Sequence, residues 1–508
     1  MAQTPSDNRI ALWLAVCFVL LYGLAGHGSF SGSDEVAVFE TTEALWERGE
    51  TAIDPGPHVF RGRAERFYGH FAPGQSVLGL PFFALGDWLD KGLPEPVRRA
   101  LASWEPPGEG PAFKGSGRVQ IFTTLLYPPL VSGLLIGIFF QLSRALGTSR
   151  RNALLVSVLL GLTSYVALLS TYYLRHTTEA VLILGSLLAL VRHAKSGSAA
   201  SLCTASVLAS AILLVRIPAL LALPGLVVYG FVALQRGRRA RAVPLSSARA
   251  GAALLGPAIA ALALHTAYNF YRWGTWLESP MLDQAAHFDT SLYVGLWGFL
   301  LSPGASIFVY SPLLLLLPWT LPGFWREKRA ECVAVVLIAL CFLLVSARFQ
   351  IWTGLWSAPG PRYLFVLTPL LFLPMGRWLD RGPTRAKWCA VWSLAFTGLL
   401  VQALQIAVSW PATVQLMNYK AFPHPMEFVF VPEQHPLFGA LALIQTGRLD
   451  AWVWHLGRGW PGREPEFALA ALIVLGWAVL FGIGLAGLRR ALSGGASSAA
   501  LESSDKPG

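Results

Sequence analysis

Residues 9–35 read RIALWLAVCFVLLYGLAGHGSFSGSDE. The run 10–28 carries no charged residue except a histidine, and an apolar stretch of that length crosses a hydrocarbon core, which takes about 20 residues as a helix. The adjacent acids Asp34 and Glu35 then open a block with seven carboxylates between Asp34 and Asp54 against one base, Arg48. If the apolar run spans a bilayer, this acidic block is confined to one membrane face.

The rest of the chain agrees with that reading. Of its 508 residues 54% are hydrophobic and 13% charged, against roughly 25% charged in a soluble domain, and the mean hydropathy is +0.52. Twelve segments are apolar enough to span, near 10–28, 119–142, 152–173, 177–191, 199–216, 217–234, 250–271, 304–323, 331–347, 362–379, 388–409 and 466–488. The expectation is one all-α polytopic domain over 1–488. A first outer loop covers 29–117, a last one 410–464, and a low-complexity, disordered cytoplasmic tail 489–508. The five cysteines lie singly in apolar runs and suggest neither disulfides nor a zinc site.

Charge sets the orientation. With the N-terminus inside, the inner side holds 21 Lys+Arg and 6 Asp+Glu, and the outer side 18 and 22. The net +11 therefore divides into +15 inside and −4 outside, as basic inner loops require. Both termini are expected to be cytoplasmic, the first span an uncleaved anchor, and the acidic block outside a plasma (inner) membrane. The basic excess is accounted for by loop bias, and nothing resembles a nucleic-acid module.

In the acidic block Val38, Phe39, Leu45 and Trp46 share one helical face, and Glu40, Glu43, Glu47 and Glu50 gather beside it. That pattern predicts a helix lying on the outer surface with a wet acidic side. Asp34 and Glu35 differ, because they stand where the chain leaves the membrane. A carboxylate pair there is unfavourable unless it meets a metal, a base or a substrate hydroxyl; capping of the helix by Ser33 or Asp34 is the plainer alternative. Residues 76–85 are apolar but too short and Gly/Pro-broken to span, and predict a second interfacial or re-entrant segment.

Several stretches, taken in order, resemble a known group. After the outer Asp34-Glu35 come HFAPG at 70–74, YYLRHTTEA at 172–180, RIP at 216–218 and YNFYRWGTWLESPM at 268–281. WGFLLSPGASIFVYSPLLL at 297–315, WTGLWSAPGPRYLFVLTP at 352–369 and HPLFGALALIQTGRLDAW at 435–452 follow. Their order resembles the GT-C superfamily of membrane glycosyltransferases, nearest to the aminoarabinose transferase and protein O-mannosyltransferase group. The resemblance implies about a dozen transmembrane helices with interfacial helices in the first outer loop. It implies an inverting transfer of sugar from a polyprenyl-phosphate donor to a lipid, glycan or protein acceptor on the outer side. Asp34 matches the catalytic carboxylate, with Glu35 beside it. Ala72-Pro73-Gly74 stands where the aminoarabinose branch has Lys-Pro-Pro, so neither sugar nor acceptor carries over.

The residues admit that chemistry. Glycosyl transfer needs a base for the acceptor hydroxyl and positive charge or a metal for the departing phosphate. Asp34 is the candidate base. Arg362, then Arg216 and Arg348, are the candidates for the phosphate, since an arginine at membrane depth is costly without a partner. Their plainer reading is snorkelling to the interface. Glu179 and His176 open the fourth span; Glu179 is either a first-turn acid or a partner of Asp34 for a divalent ion or the acceptor. His70, Tyr268 and Asn269 are further candidate substrate contacts. Trp352, Trp356, Trp452, Trp454 and Trp460 suit sugar stacking or interface anchoring. Two other classes stay open: a transporter or lipid flippase, against which the lack of mid-span acids counts, and a non-catalytic assembly partner.

Overall fold

The computed structural model describes residues 5–95, 118–240, 246–277, 280, 287–355, 357–382, 384–419, 427–452 and 464–504. Trp356, Trp454 and Trp460 lie outside the described residues, as do parts of both outer loops. The described chain is helical apart from one two-stranded hairpin.

Among the described residues eight helices are long and apolar enough to cross a membrane: Ser6–Ala25, Arg118–Ala145, His176–Ser196, Ile217–Ala240, Ser247–Trp273, Arg329–Ser346, Arg385–Ile406 and Ala471–Ser493. The protein is multi-pass. Each of the eight matches one expected span; the other four expected spans are short or broken. The third splits at Ser164, whose extended backbone separates Arg150–Thr163 from the short helix Tyr165–Leu169. The eighth breaks into Ile307–Tyr310, a 3-10 turn Pro312–Leu316 and Leu317–Glu327, because Pro312 and Pro318 remove amide donors. The fifth is the 17-residue helix Ala199–Val215. The tenth keeps only Leu367–Asp380 as α-helix, after a 3-10 turn over Arg362–Leu364.

The elements that place the site are α1 (Pro5–Ala25), α2 (Ser33–Arg48), strands β1 (Val59–Arg61) and β2 (Phe67–Gly69), and α3 (Gly74–Gly92). They continue with α4 (Tyr127–Ala145), α5 (His176–Ser196), α6 (Ala199–Val215) and α7 (Ser247–Trp273). α1 packs along α4 and along the C-terminal helix Glu464–Ser504. The close crossing with α4 depends on a Gly-x-x-x-Gly pair: a Cβ on Gly133 would lie 2.6 Å from the Ala15 carbonyl, and one on Gly137 3.0 Å from that of Ala11. The C-terminal helix is described to Ser504.

The two ends of α1 face different charge environments. At its start the buried Asp7 takes Arg144 at 3.2 Å and Arg150 at 3.0 Å. Its chemistry is repeated by Glu331 with Arg236 at 2.7 Å and by Glu327 with Arg377 and Arg381. The few acids of the basic end thus staple neighbouring helices together. Asp34 follows the other end of α1, about 30 Å away by helix rise.

Beyond α1, the first loop is a folded layer. α2 buries Asp34 through Phe39, Thr41, Thr42 and Ala44, and packs on α3. Phe30, Phe39 and Phe83 form its aromatic core together with Tyr127 and Tyr173. Trp46 departs from the expected apolar face: it is 47% exposed, and its indole donates to Asp87 at 3.4 Å. β1 and β2 pair antiparallel, with Phe60 opposite Tyr68, an element the sequence pattern did not announce.

Candidate active site

Asp34 is the second residue of α2, so its carboxylate lies at a helix start, where negative charge is favoured. Both of its oxygens are engaged. Arg362 donates to Oδ2 at 3.0 Å, and His58 Nε2 lies 2.9 Å from Oδ1. Burial alone would raise the Asp34 carboxyl. The Arg362 guanidinium, the hydrogen bond and charge of His58, and the charge of Arg175 hold it well below the usual carboxylate range. It is therefore ionised, buried and compensated.

Glu35 has a different job from its neighbour. Its Oε2 accepts from the backbone N–H of Ser31 at 2.6 Å and of Gly32 at 3.0 Å, and its Oε1 accepts from that of Tyr173. Burial pushes this carboxyl up to about 7 against those three bonds, with Asp34's charge adding to the rise. The expectation of two reactive acids side by side gives way to one acid in the site and one that caps α2 and ties it to the chain before α5.

Three arginines converge around Asp34. Arg362 leaves the 3-10 turn before Leu367–Asp380 and packs against Gly354, whose φ of +66° suits glycine and where a Cβ would strike the Arg362 side chain. Arg216 ends α6 and donates to Glu179 in the first turn of α5 at 2.8 Å. Both guanidinium groups face the Tyr363 ring, at 5.3 Å for Arg216 and 5.2 Å for Arg362. Arg175, immediately before α5, lies 3.7 Å over the Phe71 ring, and no described carboxylate bonds to it. Arg175, Arg216 and Arg362 are each 5–6% exposed. Three buried guanidinium groups thus face two carboxylates, Asp34 and Glu179. His176, 6.0 Å from the Tyr363 ring, has both ring nitrogens buried without a partner, as has Arg362 Nε.

The first loop supplies the remaining wall. His70 and Phe71 follow β2 and pack on His58, ring centroids 5.3 and 5.6 Å away. Burial, helped by the charges of Arg175 and His58 against that of Asp34, lowers His70 to about 3, so its imidazole is neutral. The last turn of α7 holds this wall in place: Arg272 donates to the carbonyls of Gly69 at 2.6 Å and Phe71 at 2.9 Å. Asn269 Oδ1 accepts from Arg272 at 3.1 Å, and the Tyr268 ring lies 4.0 Å below its guanidinium. Tyr268 and Asn269, expected as substrate contacts, are engaged in orienting Arg272.

Other expectations come apart. Arg348 is exposed and donates to the Phe288 carbonyl at 3.1 Å. Trp352 is buried against Phe299 at 4.9 Å, and Trp452 donates to the Gly23 carbonyl at 2.7 Å. A divalent ion shared by Asp34 and Glu179 does not fit these residues. Both Asp34 oxygens are turned to Arg362 and His58 and Glu179 Oε2 to Arg216, and among the described residues no group of three His, Cys, Asp or Glu is arranged to hold a metal ion. His58, Arg175 and Tyr363 escaped the sequence reading. Arg175 stood within the quoted YYLRHTTEA, where a charge directly before an apolar run was an available signal; His58 had none.

No family model matches the sequence, and neither does any curated protein. Solved structures do. The chain is similar to ArnT from Cupriavidus metallidurans bound to undecaprenyl phosphate, at 17% identity and a TM-score of 0.47, over 94% of this chain and 76% of that one. It is similar to the apo state of the same protein at 15% identity and 0.49, with the same coverage. It is also similar to the Archaeoglobus fulgidus oligosaccharyltransferase at 12% identity and 0.45, over 82% of this chain and 58% of that one.

Proposed function

We propose that the protein is an inverting membrane glycosyltransferase. It moves a sugar from a polyprenyl-phosphate-linked donor to a lipid, glycan or protein acceptor at the outer face of the plasma (inner) membrane. The observation that carries this reading is Arg175, a buried guanidinium with no carboxylate bonded to it, beside the ionised Asp34. A buried cation with no directly bonded anion is costly, and a lipid phosphate at the membrane rim supplies such a partner. The order of motifs along the chain, which resembles GT-C enzymes, points the same way.

In this reading the donor phosphate lies among Arg175, Arg216 and Arg362. Positive charge fixed there stabilises the phosphate as it leaves, without reorganisation at the moment of reaction. Asp34 is the carboxylate of the base: it drives removal of the acceptor hydroxyl's proton as that oxygen attacks C1. The loop charges support an outer site, since the basic loops are expected at the far end of α1. Purified full-length protein, offered a panel of radiolabelled undecaprenyl-phosphate sugars with total membrane extract as acceptor, is expected to transfer label. Asp34→Asn is expected to reduce transfer at least 100-fold while the protein still inserts in the membrane and binds donor. Transfer at the wild-type rate in that variant would falsify the role of Asp34.

A further inference from the structure

His58 lies in Asp54-Pro55-Gly56-Pro57-His58, between α2 and β1. Its φ of +63° is left-handed, a conformation non-glycine residues adopt rarely and which concentrates at functional sites. The His58 carbonyl accepts from the His70 N–H at 3.0 Å, closing the hairpin and setting the imidazole against His70 and Phe71. Nε2 is the nitrogen beside Asp34 Oδ1, and no described residue bonds to Nδ1. The Asp34 side chain is 10% exposed and that of His58 36%, so the pair runs from the buried arginine cluster toward water.

We propose that His58 is the catalytic base and that Asp34 is the group that orients it. The assignment rests on the glycosyltransferase reading and deepens it. Asp34 is a weak proton acceptor, since despite burial the charges of Arg362 and Arg175 and the hydrogen bond from His58 keep its carboxyl low, and Arg362 covers its second oxygen. An imidazole whose N–H is held by a carboxylate offers its other nitrogen as a base, and the carboxylate stabilises the imidazolium that results. The charged and titratable groups around it are Asp34 from α2 and His70 after β2, with Arg362, Arg175 and Arg272 acting on those two. Asp34 is the carboxylate among them that meets the ring.

The acceptor oxygen forms its bond to the sugar C1 while the bond from C1 to the phosphate oxygen breaks. That electron pair leaves with the polyprenyl phosphate among the arginines. The hydroxyl proton passes to His58 Nδ1, and the half-exposed imidazolium returns it to water.

The left-handed backbone makes glycine a conservative replacement for folding, and the vacated space admits free imidazole. With the same panel of undecaprenyl-phosphate sugars, His58→Gly in the full chain is expected to lose about 10²-fold or more in transfer rate. Added imidazole is expected to restore at least a tenth of the wild-type rate, and His58→Asn, which also tolerates this φ, to stay inactive. Variants within threefold of wild type, or a loss that imidazole does not relieve, would overturn the role of His58 while leaving the glycosyltransferase reading standing. A wild-type protein that transfers none of the sugars would overturn both.

Discussion

At Asp34 two large effects oppose each other. Burial disfavours a carboxylate, and the guanidinium of Arg362 with the imidazole of His58 more than offsets it. Arg362 thus holds an anion that belongs to the chain, and a donor phosphate would compete with Asp34 for it. Arg362→Ala is expected to weaken binding of undecaprenyl phosphate at least 10-fold, as measured by titration of the purified protein, and to leave acceptor affinity nearly unchanged. Equal donor affinity in variant and wild type would remove Arg362 from the phosphate site. Asp34 was legible in the sequence as an acid following an apolar run. Its partners were not, because Arg362 is 328 residues away along the chain and His58 reaches it through a turn with no periodic pattern.

α2 shows how an amphipathic pattern becomes a packed element. The expected acidic face holds for Glu47, which is exposed, whereas Glu40 is half-buried. Burial, with the charges of Glu43 and Asp54, raises the Glu40 carboxyl from 4.5 to about 7. An acid whose folded value is raised contributes fully below its unfolded value and loses that contribution as pH rises toward and past the folded one. The wild-type melting temperature is therefore expected to fall between pH 5 and pH 8, and Glu40→Gln to fall less, so that the variant is the more stable at pH 8. Thermal unfolding in detergent at the two pH values checks this; a variant less stable at pH 8 would contradict the burial of Glu40. Helix existence was readable here from the 3.6-residue period, but the degree of burial depends on α3 and the hairpin, which the pattern of α2 does not contain.

Over the whole molecule, charge is divided between the two ends of the bundle. Asp7, Glu327 and Glu331 cross-link the basic end, and Asp34 and Glu179 sit among arginines at the other. In a cysteine-free background, Gly56→Cys is expected to react with an impermeant maleimide on intact cells, and Arg151→Cys only after permeabilisation; the opposite pattern would invert the proposed topology. The membrane-spanning character and eight of the spans were legible in the sequence alone, since apolar length and composition are local properties of a segment. So was the loop that carries Asp34. The tertiary structure alone showed which of the remaining four expected spans are short and which are broken, that Glu35 caps while Asp34 faces the arginines, and that Arg272 clamps the hairpin carrying the aromatic support of Arg175. Those outcomes depend on groups drawn from distant segments into one buried volume, where each charge must find its counter-charge or remain open to a ligand.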